Sequence, residues 1–130
     1  MKRPVTTLLC LLLLFGFSLA AFAPANAAGD AANGMAQYQT RCAACHSLDF
    51  NGLGPSHRGV YGRRAGAVKD FNYSSALKAS GLVWNEASLE SWLADPEKSI
   101  PGQRMGINVP EANVRADIIA FLKRIPTKTE

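Results

Sequence analysis

The chain reads as all-α, and three observations carry that reading. The stretch from about Pro110 to Ile125 places Val114, Ile118, Phe121, Leu122 and Ile125 at i, i+4, i+7, i+8 and i+11, the apolar stripe of one helix. Asp30 and Asn85 stand as cap residues immediately before segments with helical spacing. No segment alternates apolar and polar residues for long enough to make a strand.

Residues 1–27 read as an export signal. Lys2 and Arg3 are the basic start, Leu8 to Ala23 is almost unbroken apolar sequence, and Ala25-Asn26-Ala27 is the small-x-small pattern of a cleavage site. Cys10 leaves with this segment. The alternative is a retained anchor, but the apolar run is shorter than the roughly 20 residues that span a bilayer. Cleavage after Ala27 makes residues 28–130 a single domain. The full chain has 14 basic and 10 acidic side chains. Losing Lys2 and Arg3 leaves 12 against 10, a net of +2. With no basic run and no aromatic stacking array, nucleic-acid binding is excluded.

A first helix capped by Asp30 runs toward Cys42, with Ala31, Met35, Tyr38 and Cys42 expected on one face. Gly34 weakens it by about 1 kcal/mol relative to alanine, a cost that fits a close helix crossing at that point. From Ser47 to Asn72 the chain is rich in glycine and reads as loop. A loop of that length needs support in a small domain, and wrapping a ligand supplies it. Ser74 to Ser80 reads as a short helix ended by Gly81. Asn85 caps Glu86 to Ala94, with Leu89, Trp92 and Leu93 on one side and Pro96 stopping it. Ile100 to Pro110 is loop again. The final helix ends before Pro126.

Chemistry enters at Cys42-Ala43-Ala44-Cys45-His46. Two thiols three positions apart, followed at once by an imidazole, are the attachment signature of haem c. Each thiol adds to one vinyl group of haem, and His46 becomes the proximal iron ligand. A zinc site would want a second ligand pair, and His57 and Cys10 are the only other histidine and cysteine. A redox dithiol has no need of the adjoining histidine.

The second axial position separates a carrier from an enzyme. Its candidates are Met35, Met105 and His57. Met35 lies seven residues before Cys42 on the same helix and cannot swing to the opposite face of the haem. His57 follows His46 by only 11 residues, too few to cross the haem edge readily, and is read as a surface residue. Met105 stands in a loop with room to return across the other face, between Pro101-Gly102 and Gly106. It is the expected sixth ligand.

These motifs together resemble class I cytochrome c, in the cytochrome c2/c-550 and mitochondrial cytochrome c branch. The resemblance spans Gly29 to Arg124. Gly34 and Tyr38 resemble the family's glycine–aromatic pair on the first helix, and Ile118, Phe121 and Leu122 the last-helix residues crossing it. Gly54-Pro55 resembles the turn whose proline carbonyl accepts a hydrogen bond from the proximal histidine. Gly59 to Gly66 resembles the stretch that places Arg63 near a haem propionate. Tyr73 and Trp84 fall at two propionate-donor positions. Asp95-Pro96 through Met105 resembles the methionine loop. The implied fold crosses the N- and C-terminal helices and wraps shorter helices and loops around one covalent haem c.

Three departures concern the haem environment. Trp92 stands at a position often tyrosine, Gln103 at one commonly threonine, and Leu77 where many members have asparagine. The resemblance implies a monomeric, periplasmic single-electron carrier rather than an enzyme. Its partners would be membrane redox complexes (a bc1-type complex, a terminal oxidase or a reaction centre) or a periplasmic dehydrogenase. Arg41, Lys78, Lys98 and Arg104 are expected around the exposed haem edge, steering docking to acidic patches. The alternatives are a haem enzyme with an open distal site, and a dedicated or membrane-anchored subunit serving one dehydrogenase or oxidase.

Overall fold

Asp30 starts the first helix, α1 (Ala31–Arg41), by accepting hydrogen bonds from the Ala32 and Asn33 amides. The computed structural model describes residues 28–127, so the expected signal segment 1–27 lies outside the described residues. Among the described residues four further helices follow: α2 (Ser75–Ala79), α3 (Glu86–Ala94), α4 (Pro96–Ser99) and α5 (Ala112–Lys123). Among the described residues, strand-like pairing is limited to an isolated bridge between Arg64 and Val83. The all-α reading holds.

The crossing of α1 and α5 organises the core. Gly34 makes the contact close: a Cβ there would overlap the backbone carbonyl of Asp117. One turn on, Tyr38 is 2% exposed and sets its ring 5.2 Å from that of Phe121, at 52°. Ile118, on the facing side of α5, is fully buried. The Asp117 carboxylate accepts a hydrogen bond from the Asp30 amide at 2.7 Å, tying the start of α1 to the same turn of α5.

The buried stripe of α1 is Ala31, Gly34 and Tyr38. Met35, expected on that face, is 51% exposed. Successive helical residues are about 100° apart. Centring the contact on Gly34 therefore turns residue 35 out to the shoulder.

The Asn85 side chain caps α3, in a reciprocal capping box with Ser88. Pro96 does more than stop that helix: it occupies the first turn of α4, capped by the Asp95 side chain. α5 begins at Ala112, two residues later than expected from Pro110. Val109 instead donates its amide to the Leu93 carbonyl at 2.7 Å, holding the approach extended against α3. Arg115 then clamps the start of α5, donating to the Val109 and Pro110 carbonyls at 2.8 and 2.7 Å and pairing with Glu90 of α3.

The long glycine-rich segment is laced to its surroundings. His57 and Arg58 donate to the Ser47 and Leu48 carbonyls, Gly62 to Trp84, Trp84 to Arg63, and Ala65 to Leu82. Gly62 has φ +86, the left-handed region that favours glycine. Among the described residues no helix is long and apolar enough to cross a membrane.

Gly34→Ala tests the crossing. Helix propensity alone predicts a gain of about 1 kcal/mol. Overpacking against a backbone carbonyl costs about 1–3 kcal/mol and wins, because a carbonyl in α5 cannot rotate aside. The variant is expected to unfold at lower denaturant concentration than the parent, and Ala36→Gly, on the exposed face, by the smaller propensity cost.

Candidate haem centre

Chain segments from α1, the long loop, α2, α3, the methionine loop and α5 close on one cavity of ≈ 360 Å³. Cys42, Cys45 and His46 line it from the end of α1, Pro55 and Arg63 from the long loop, and Tyr73 from the segment before α2. Trp84 and Trp92 line it before and within α3, and Met105 from the loop after α4. Each residue assigned to haem attachment, iron ligation or the haem environment therefore borders the same space, and the rejected candidate Met35 does not. Of the four charges expected around the haem edge, Arg41 and Arg104 line it and Lys78 and Lys98 do not. Arg41 is moreover paired with Glu111 at 3.4 Å.

The attachment motif continues α1 as a tight turn. The Cys45 and His46 amides both donate to the Cys42 carbonyl, at 3.0 and 2.8 Å. That turn sends both free thiols to the cavity. Burial pushes the Cys42 thiol up to about 11, so it is protonated at neutral pH.

His46 is held at three places. Its Nδ1 lies 2.8 Å from the Pro55 carbonyl oxygen. A carbonyl only accepts, so Nδ1 carries the proton and the Nε2 lone pair is left for a metal. The Tyr38 hydroxyl donates to the His46 backbone carbonyl at 3.1 Å. Gly54 passes so close that a Cβ there would overlap the imidazole, so glycine makes room for the ring. Burial lowers the His46 pKa, opposed by its bond to Pro55, and a neutral ring is the form that ligates.

The third hold corrects the sequence reading. His57 is not a surface residue: its ring stacks on that of His46, with centroids 4.0 Å apart and planes 19° from parallel. The residue keeps some exposure, but its Nδ1 is buried with no hydrogen-bond partner. Burial first, then the nearby His46 and Arg63, drives its pKa well below the usual value. The available signal was its place two residues after Pro55. A loop that brings the Pro55 carbonyl to the imidazole edge brings the following side chains to its face.

Met105 is partly buried and packs on the core. Its amide donates to the Gln103 side chain. Glu97 in turn accepts from the Gly102 amide at 2.9 Å and the Gln103 side-chain amide at 3.3 Å. Glu97 escaped the sequence reading because a charged residue on a four-residue helix looks like solvated surface. It anchors the loop that presents the methionine.

On the cavity wall Arg63 donates to the Ser56 and Arg58 carbonyls, both at 2.7 Å. These bonds fix a half-buried guanidinium whose charge burial disfavours. Burial likewise raises the Tyr73 phenol, which therefore keeps its proton as a donor. Trp84 and Trp92 meet edge to face at 5.3 Å and 62°, a favourable aromatic geometry. Leu77 lines the same space.

The donor set fits haem better than a bare ion. Among the described residues no group of three or more His, Cys, Asp or Glu side chains is arranged to hold a metal. The cavity offers the His46 imidazole, with His57 stacked on it, and the Met105 thioether, with two thiols beside them, in a largely apolar lining. Iron held there needs its remaining ligands from a macrocycle.

A helical shell closed on a cavity that gathers these groups defines a c-type haem electron-transfer protein. The comparisons with known proteins agree. The chain belongs to the cytochrome c family, whose model, described as Cytochrome c, matches residues 31–126. Cytochrome c2 of Rhodomicrobium vannielii is 40% identical over 115 residues, covering 84% of this chain and 90% of that protein. Cytochrome c of Gibberella zeae is 39% identical over 101 residues, or 75% and 95%. The solved structure of cytochrome cH from Methylobacterium extorquens is similar with a TM-score of 0.70 and 44% identity, over 73% of this chain and 98% of that one. The protein is thus a haem c electron carrier rather than an enzyme, with one covalent haem c as cofactor.

Tyr38 gives the alkaline limb of stability. Burial, and secondarily Cys42, raise its phenol pKa above the ordinary 10.0. Below pH 10 folded and unfolded chains both hold this proton. Above it the unfolded chain releases the proton while the folded one retains it, so stability falls with rising pH, by up to about 1.4 kcal/mol per pH unit. Denaturant midpoints measured from pH 8 to 11 should show this decline, and Tyr38→Phe should flatten it.

Proposed function

We propose that the protein is a soluble, monomeric periplasmic carrier of single electrons whose haem iron is six-coordinate. His46 and Met105 are the axial ligands, and Cys42 and Cys45 form the thioether bonds. Residues 1–27 are its cleaved export signal, and residues 28–130 its one domain. The observation that carries this reading is the convergence of both thiols, Met105 and an Nδ1-protonated His46 on one cavity. Bound there, haem c supplies a one-electron ferric/ferrous couple.

The chain's own residues do the rest. With His46 and Met105 both holding the iron, dioxygen and peroxide would find no open site. The bond from His46 to Pro55 keeps Nε2 basic and its ring fixed, and the Glu97–Gln103 contacts hold Met105 in place, so little moves when the charge changes. A soft thioether ligand and exclusion of water by the loops both raise the reduction potential. Arg63, Tyr73 and Trp84 are the donors for the propionates, where burial without a cation would be costly. Trp92 lies beside them as an indole donor in the distal environment.

Arg41 and Arg104 border the cavity, alongside exposed Leu53 and Ile107. This rim is the docking face for a bc1-type complex, a terminal oxidase, a reaction centre or a periplasmic dehydrogenase. Its positive charge is small, since Glu111 offsets Arg41.

Two measurements test this function. The oxidised protein should show the weak charge-transfer band of sulfur–iron bonding at the near-infrared edge, and Met105→Ala should abolish it; an intact band in that variant would remove Met105 as ligand. The rate of electron exchange with an acidic redox partner should fall gently as ionic strength rises, and a flat profile would argue against steering by the arginines.

A further inference from the structure

We propose that His57 is a positioning residue for the iron ligand: its ring, stacked on that of His46, fixes the plane of that imidazole and favours the oxidised state. The inference rests on the reading of His46 as an axial ligand. Its basis is the pairing of two nearly parallel rings with centroids 4.0 Å apart. The stack is built rather than incidental. The His57 amide donates to the Ser47 carbonyl at 2.9 Å, next to His46 itself, and Arg58 repeats the pairing one residue on. Behind it Tyr38 sets its ring 5.7 Å from His57 and its hydroxyl on the His46 carbonyl. The supporting column therefore runs from the helix crossing to the ligand.

An aliphatic side chain would fill the same space without burying a polar atom. Here the Nδ1 of His57 is buried and unpartnered, which normally costs stability. A flat π face against His46 is what the imidazole adds over such a side chain. The Pro55 bond acts at the ring edge and leaves rotation about that bond axis to be limited by packing. A parallel ring on the face limits it directly. The electrostatic consequence has a sign. Oxidation increases positive charge on the ligating imidazole, and the negative face of a neutral aromatic ring stabilises a cation. Removing the ring therefore disfavours the oxidised state and raises the potential.

The experiment compares the holoprotein with His57→Leu and His57→Phe. Midpoint potentials are read at an electrode, which takes up the one electron released per iron. Low-temperature electron paramagnetic resonance of the oxidised forms reads the ligand field. His57→Leu should raise the potential, changing the oxidised-to-reduced ratio at fixed voltage about threefold (about 28 mV, from 59 mV per tenfold for a one-electron couple). Its g-values should shift. His57→Phe, which keeps a flat ring, should stay close to the parent in both. Equal potentials and spectra in all three, or equal shifts in the leucine and phenylalanine variants, would reduce His57 to space filling and overturn the proposal. Absence of imidazole-nitrogen hyperfine coupling in the parent would overturn the His46 ligation itself. That result is distinguishable from failure of the stack alone, which leaves the coupling intact.

Discussion

A cavity of ≈ 360 Å³, walled largely by apolar side chains, is the constraint on which the rest of this structure depends. Leu77, Leu89, Trp92, Leu93 and Leu122 all turn to this space together with the attachment turn, so the group that fills it packs against side chains from most of the fold. The cofactor is therefore part of the core. The long glycine-rich loop makes sense on the same terms. Its side chains have too little apolar partner surface among themselves, but as the wall of a filled cavity they bury it.

Around that cavity the two longest helices and the loops divide the labour. The α1–α5 crossing, made close by Gly34 against the Asp117 carbonyl, fixes where α1 ends. The end of α1 fixes the attachment turn, because the Cys45 and His46 amides close on the Cys42 carbonyl. Tyr38 belongs to both, with its ring against Phe121 and its hydroxyl on the carbonyl of His46. A disturbance at the crossing would thus reach His46 through one side chain. The methionine side is held differently, by hydrogen bonds from a loop to Glu97. Two distinct mechanisms, packing and polar anchoring, present the two axial candidates.

Charge plays a smaller part than the sequence suggests. Much of it is spent within the fold: Arg115 with Glu90, Arg58 with Asp49, Lys123 with Glu86 and Arg41 with Glu111. What reaches the cavity rim is Arg104 and a partly offset Arg41, beside exposed Leu53 and Ile107. The rim therefore carries little net charge and two exposed apolar side chains.

Much of the fold and the site was legible in the sequence. Helix caps and apolar spacing act locally, so Asp30, Asn85 and the stripe of α5 could be read from neighbours a few residues away. The attachment motif is legible for the same reason, since its chemistry requires two thiols and an imidazole within one turn. Packing between distant segments was not legible. Met35 sits at a permissible stripe position and turns outward only because the contact centres on Gly34. Pro96 looked like a stop and also opens a helix. His57 looked like surface, and only the return of the loop through Pro55 lays its ring on His46. By itself the sequence determined the helices and the attachment motif with its two thiols and imidazole, because these depend on short-range spacing. Only the tertiary structure decided which side chains share the cavity and what stands behind His46, because those contacts join residues whose separation along the chain carries no periodic signal.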